Sequence, residues 1–220
     1  KYKINISFDV NNNQFSGTEE IIYYNNSPDT LNKIFFHLYF NAFQPNSMMD
    51  IRSRNIIDPD RRVMDRIYNL DKDEIGYHRI KSLKQDKNNL TYVIEGTILE
   101  VELFEPIKPN DSSIFSIEFY SQVPKQIRRS GRDNKEGIEY SMAQWFPKIA
   151  EYDRQGWHAH PYIAREFYAP WGNFDVSISI NKKYVVAATG VLKSLEEYKN
   201  YNKWNFIANN VHDFVWAADP

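Results

Sequence analysis

The sequence predicts an all-β architecture: two sheets of antiparallel and mixed strands in a sandwich, with one long inserted loop and little helix. Three observations carry this. Aromatic residues make up 15% of the 220 residues, with 15 Tyr and 14 Phe, and such residues favour strands and bury large areas. Apolar and polar residues alternate in segment after segment, which is the period of a half-buried strand. No apolar stripe at helical spacing lasts three turns.

The elements follow in order. Tyr2, Ile4, Ile6, Phe8 and Val10 alternate with polar residues and predict a first strand. Asn11-Asn12-Asn13 and Gly17 supply turn chemistry, and Thr18 to Tyr24 reads as the returning strand. Lys33 to Tyr39 predicts a third. The stretch from 45 to 87 is rich in Arg, Asp and Lys and weak in period, so it reads as a solvated excursion from the sheet. Within it, Asp58-Pro59-Asp60 is placed to open a short helix through Arg66. Strands resume at Leu90 to Glu95, at Leu99, Val101 and Leu103, and at Phe115, Ile117 and Phe119. From 124 to 168 the period is poor. Phe174, Val176, Ile178 and Ile180 alternate, Tyr184 to Thr189 reads as a buried strand, and Gly190 ends it. Glu196 to Lys199 reads as a turn. Trp204, Phe206 and Ala208 alternate, and 211–217 closes the chain.

Composition excludes some functions. The formal net charge is −2, so no basic excess points to nucleic acid. There is no cysteine, hence no disulfide framework and no thiolate metal site. No apolar run approaches the roughly 20 residues that cross a bilayer as a helix. The chain starts at Lys1 and enters a strand at once. It reads as a trimmed or mature form, which favours a periplasmic, cell-surface or secreted location.

Candidate chemistry is sparse. None of the histidines, His37, His78, His158, His160 and His212, is followed by Glu, so the helical zinc motif H-E-x-x-H is absent. His158 and His160 would face one side of a strand and could share a metal, with Asp153 or Glu166 as a third ligand. Pro161 and Gly156-Trp157 argue for a loop there instead. No nucleophile elbow and no phosphate-binding glycine motif occurs. Lys125, Arg128, Arg129 and Arg132 form the best candidate anion patch, with the acids Asp133, Glu136 and Glu139 close behind. The stretch from Tyr140 to Trp171 holds Trp145, Trp157 and Trp171. It reads either as packing of an irregular connection or as a platform for a glycan or protein ligand, with Trp157 and Trp171 exposed.

Two segments are the most specific. One is Gln144-Trp145-Phe146-Pro147-Lys148 followed by Tyr152-Asp153. The other is Val211-His212-Asp213-Phe214 with Trp216-Ala217-Ala218-Asp219-Pro220. Leu38-Tyr39-Phe40-Asn41-Ala42-Phe43, Val123-Pro124, Arg129-Ser130-Gly131-Arg132, Glu166-Phe167-Tyr168, Asp175-Val176 and 185–190 add to them. Together they resemble the N-terminal domain of aminopeptidase N-like (gluzincin) zinc metallopeptidases. Phe40 departs from the resemblance, standing where such sequences commonly have Pro.

The resemblance implies a saddle-like two-sheet domain over 1–220, non-catalytic and inactive alone. It implies a zinc-bearing catalytic domain beginning just after 220, in which zinc activates a water, and no cofactor within this chain. The partners implied are that catalytic domain and the N-terminus of a peptide substrate. By position in the motif, Gln144 would line the pocket for the first residue of the substrate, with Met142 or Trp145 shaping it. Phe214 and Trp216 would pack near the junction, leaving an apolar patch and weak self-association in the isolated domain. A parent protein that has lost catalysis and acts as a scaffold stays open. So does a free-standing β-sandwich that binds glycans or proteins.

Overall fold

The computed structural model describes residues 1–164 and 168–220. The chain opens with β1 (Tyr2–Asp9), β2 (Gln14–Tyr24) and β3 (Leu31–His37). A 3-10 turn (Tyr39–Ala42) and a helix, α1 (Met48–Asn55), come next. Then follow β4 (Tyr77–Gln85), β5 (Asn88–Asn89), β6 (Tyr92–Glu95), β7 (Ile98–Ile107) and β8 (Ser112–Gln122). Short strands occupy the middle: β9 (Gly131–Arg132), β10 (Tyr140–Met142), β11 (Lys148–Ile149), β12 (Tyr152–Asp153) and β13 (Gly156–Trp157). The chain ends with β14 (Gly172–Asn181), β15 (Val185–Ala188), β16 (Val191–Glu197), β17 (Tyr201–Val211) and β18 (Trp216–Asp219).

Eight strands form one large sheet in the order β16-β17-β14-β1-β2-β8-β4-β5. All neighbours in it are antiparallel except β1 and β14, which run parallel with Tyr2 opposite Phe174. The alternation in the sequence explains the sheet's two faces. Tyr2, Ile4, Ile6 and Phe8 of β1 are buried while Lys3, Asn5 and Ser7 face water. Register carries that face across the sheet, since Ile4 stands opposite Val176 and Glu19, and Glu19 opposite Ile117.

The buried face is covered by two four-stranded sheets, β11-β3-β7-β6 and β15-β18-β10-β9. Phe36 meets Phe115 edge-on at 6.3 Å, and Phe8 meets Trp216 at 5.7 Å, so one core joins the layers. Each ring so enclosed contributes about 1.5–3 kcal/mol over exposure. The all-β sandwich expected from the sequence is therefore present, its second layer split in two.

Several local expectations are corrected. Gly17 is not in a turn but inside β2, where the Phe119 ring lies over it. A Cβ added there would stand 2.4 Å from Phe119 Cζ. The excursion from 45 to 87 is not all loop. It holds α1, whose N-cap Ser47 accepts the Asp50 N–H at 3.2 Å, and Asp58-Pro59-Asp60 leads into turns rather than a helix. Its last part is β4, a full strand of the large sheet, with a bulge between Ile80 and Ser82 that breaks the two-residue period. Glu196 and Glu197 belong to β16, an edge strand exposed at every residue. The turn follows at Tyr198, whose N–H bonds Tyr201 O. The strand Val185–Ala188 is only half-buried, not a core strand.

Candidate functional site

The two segments singled out in the sequence are brought together. Met142 in β10 stands opposite Trp216 in β18, so the chain leaving β10 runs beside the 212–214 corner. Trp145 Nε1–H donates to Phe214 O at 2.9 Å. The ammonium of Lys148 donates to His212 O and lies 3.5 Å from Asp213 Oδ1. On its other side, the Ala143 N–H donates to Ser130 Oγ at 3.0 Å.

Gln144 sits at the centre of this stitching. Its backbone is left-handed, φ 56°, a conformation that costs a residue with a Cβ about 1–2 kcal/mol. The Asp213 carboxylate holds it there through a long bond from the Gln144 N–H, 3.4 Å. The Gln144 amide itself has no hydrogen-bond partner among the described residues, and the residue is 4% exposed. Met142 and Trp145 are wholly buried. Trp145 packs edge-on against Phe15, Phe146 and Trp216. These two side chains are enclosed in the core and present no surface to a ligand in this domain.

Charges are buried below the turn. Lys148 is fully enclosed, as is Glu19, whose two carboxyl oxygens have no hydrogen-bond partner among the described residues. Burial pushes the Glu19 carboxyl well above the usual range, while the Lys148 charge pulls the other way. Burial also raises Asp213 and lowers Lys148, against their mutual attraction. His37 is held down to about 4, chiefly by burial, then by Lys148 and His160. Glu19 and Asp213 were not visible as site residues in the sequence. Glu19 occupies an inward position of β2, where an acid breaks the apolar alternation, and that was the available signal.

The other candidates resolve differently. His158 and His160 have ring centroids 5.7 Å apart, but His158 Nε2 is taken by Asp153 Oδ1 at 2.8 Å. Among the described residues no three His, Asp or Glu side chains converge on a metal position. Glu166, the other acid weighed as a third ligand, lies outside the described residues, as does Phe167 of the Glu166-Phe167-Tyr168 piece. The described residues alone do not fit zinc. Trp157 is packed among Tyr23, Phe35 and Tyr152, whereas Trp171 is 64% exposed. Phe214 and Trp216 are buried in this domain's own core, which removes the apolar patch expected from them. A shallow groove of about 470 Å³ on the outer sheet face, between Lys3, Glu20, Ser82, Lys84 and Glu118, carries solvated charges of both signs. No helix among the described residues is long and apolar enough to cross a membrane.

No family model matches the chain, and no curated protein does. Solved structures do. An M1 zinc metallopeptidase from Deinococcus radiodurans matches at TM-score 0.60 and 12% identity, over 100% of this chain and 41% of that one. A two-domain M1 zinc metallopeptidase variant bound to L-arginine matches at 0.59 and 12%, with the same coverage. An M1 variant from D. radiodurans bound to a Tyr-Ser-Ala substrate matches at 0.57 and 12%, again over 100% and 41%. At that identity the likeness establishes a shared fold, and the chain spans about two-fifths of the length of the structures it matches.

Proposed function

We propose that this chain is the β domain preceding a zinc-bearing catalytic domain in a metallopeptidase that acts on peptide N-termini. It walls the substrate cleft there, and Gln144 meets the α-ammonium of the peptide. The domain reading is supported by the full-length likeness to M1 zinc metallopeptidases, one of them with a tripeptide bound. One observation carries the residue assignment. Gln144 is pinned by Asp213 in a strained backbone while its own amide has no hydrogen-bond partner among the described residues.

The chemistry is consistent with that role. An amide oxygen accepts a hydrogen bond from an ammonium without bringing a second charge out of water. A backbone already fixed pays little ordering entropy on binding. Met142 and Trp145 act through Gln144, by fixing the turn that presents it. Zinc, held outside this chain, would supply the activated water.

The test is to express the chain with the coding sequence that follows Pro220, measure bound zinc, and assay aminoacyl substrates. Gln144→Ala should lower kcat/KM by roughly 10- to 100-fold, the worth of a hydrogen bond to a charged group. If no zinc is bound, or if the kinetics are unchanged, the corresponding half of the reading falls. A free-standing module for glycans or proteins is favoured only by the exposure of Trp171. Loss of glycan or protein capture on Trp171→Ala, with no zinc domain following, would select it.

A further inference from the structure

We infer that Arg128 is the centre of a binding site for a carboxylate supplied from outside this chain. The fold takes apart the cationic cluster seen in the sequence. Lys125 Nζ pairs with Glu74 Oε1 at 2.8 Å. Arg132 pairs with Asp133 and donates from Nη2 to Asp73 O at 3.1 Å. Arg129 stands in water.

Arg128 differs from all three. It is 8% exposed, and its Nε is enclosed with no acceptor among the described residues. No carboxylate among the described residues lies within ion-pair distance of it. Its near companion is the buried ring of Tyr162, with the guanidinium carbon 5.6 Å from the centroid. Asp60 feels the Arg128 charge but is occupied by Arg62, at 2.7 Å and 3.0 Å. Arginine is almost never buried unless paired. Burial of the stem alone would leave the whole head in water, yet here the head is partly inside.

The missing counter-charge has a defined chemistry. A guanidinium fork matches a planar carboxylate in shape. One carboxylate neutralises one cation, whereas a phosphate brings up to about two negative charges and would sit near the ionised Asp60. The location also matters. Arg128 is two residues before Ser130, whose hydroxyl holds Ala143 beside Gln144. The inference rests on Arg128 alone and stands whether or not Gln144 contacts a peptide.

The experiment follows the Arg128 Nε–H resonance of the 220-residue chain by NMR. It is titrated with sodium acetate, sodium phosphate or sodium chloride at constant ionic strength. Acetate should give a saturable shift, at least tenfold tighter than phosphate, and no saturation with chloride. Identical linear drifts with all three anions would overturn the site. Saturation by phosphate instead of acetate would overturn the ligand class. A response that appears only in Glu166→Gln would make the carboxylate the chain's own and overturn an external ligand. Arg128→Gln should abolish the rise in Tm that acetate gives the parent chain. If that variant fails to fold, the titration of the parent decides.

Discussion

Lys148 and Asp213 meet in the interior of the domain, Nζ to Oδ1 at 3.5 Å, and join segments far apart in the chain. Each is disfavoured as an ion by burial, and each is the other's compensation. The pair also holds the backbone of Gln144 through Asp213. It is therefore both a cost in desolvation and the fastener of the candidate site.

Removing one partner should be expensive. Lys148→Met leaves the buried Asp213 without its cation and is expected to cost about 3–5 kcal/mol, read by urea denaturation. Adding Asp213→Asn should recover part of that loss. Strictly additive effects of the two substitutions would show that the pair is not coupled.

Gly17 is expected to tolerate no methyl group. A Cβ at 2.4 Å from Phe119 Cζ forces the ring out of its packed place, for about 1–3 kcal/mol. Gly17→Ala should lower Tm, and Phe119→Leu in the same chain should restore part of it. An unshifted Tm in Gly17→Ala would mean that the ring has room to move.

His78 predicts a particular pH dependence. Its ring stacks on Phe40 at 4.7 Å, Nδ1 is 2.6 Å from Ser121 Oγ, and burial lowers it to about 3. The fold keeps the ring neutral, whereas the unfolded chain takes up a proton below about 6.5. Stability is thus fully present above 6.5 and is lost as pH falls toward 3. Relative to His78→Phe, the parent should lose about 1.4 kcal/mol per pH unit across that window. His37 behaves alike, and Glu19 and Asp213 have the opposite sign, but all three are common to both proteins. Parallel stability curves for the two would refute this.

Gln144→Gly should leave stability nearly unchanged. Relief of the left-handed backbone, about 1 kcal/mol, is offset by the greater freedom of glycine in the unfolded chain, about 0.4–1 kcal/mol. Gln144→Val should instead destabilise by more than 1 kcal/mol, because a β-branched residue fits that conformation worst. Thermal melts of the two variants check this. Gln144→Gly is then a variant that deletes the amide and keeps the domain.

The fold was legible where one face of a strand is buried. Tyr2 to Phe8 and Phe174 to Ile180 announce themselves by alternation, and both strands lie centrally in the large sheet. β4 was hidden by its bulge and by the polar His78 and Gln85 at buried positions. β16 was hidden because neither of its faces is covered. The helix α1 left only its cap, Ser47 three residues before Asp50, as a signal. Within the site, Gln144 and Trp145 were visible through the resemblance alone. Their junction with Asp213 and Lys148 was not, because long-range register leaves no local period. The anion patch shows the converse, as four neighbouring cations in the sequence have three different fates in space.

The parallel pairing of β1 with β14 bears on synthesis of the protein. β1 sits mid-sheet, and one of its two neighbours emerges from the ribosome only when the residues around Phe174 have been made. Until then β1 is paired on one side only, through β2 to β8 and β4, and its other edge has no strand of the final sheet. Closing so long a loop is slow, and the open edge of β1 is a template for the wrong strand in the meantime. The open edge of β1 is thus a part of this chain that depends on protection during translation. A nascent chain arrested before β14 is the species in which that exposure should be greatest.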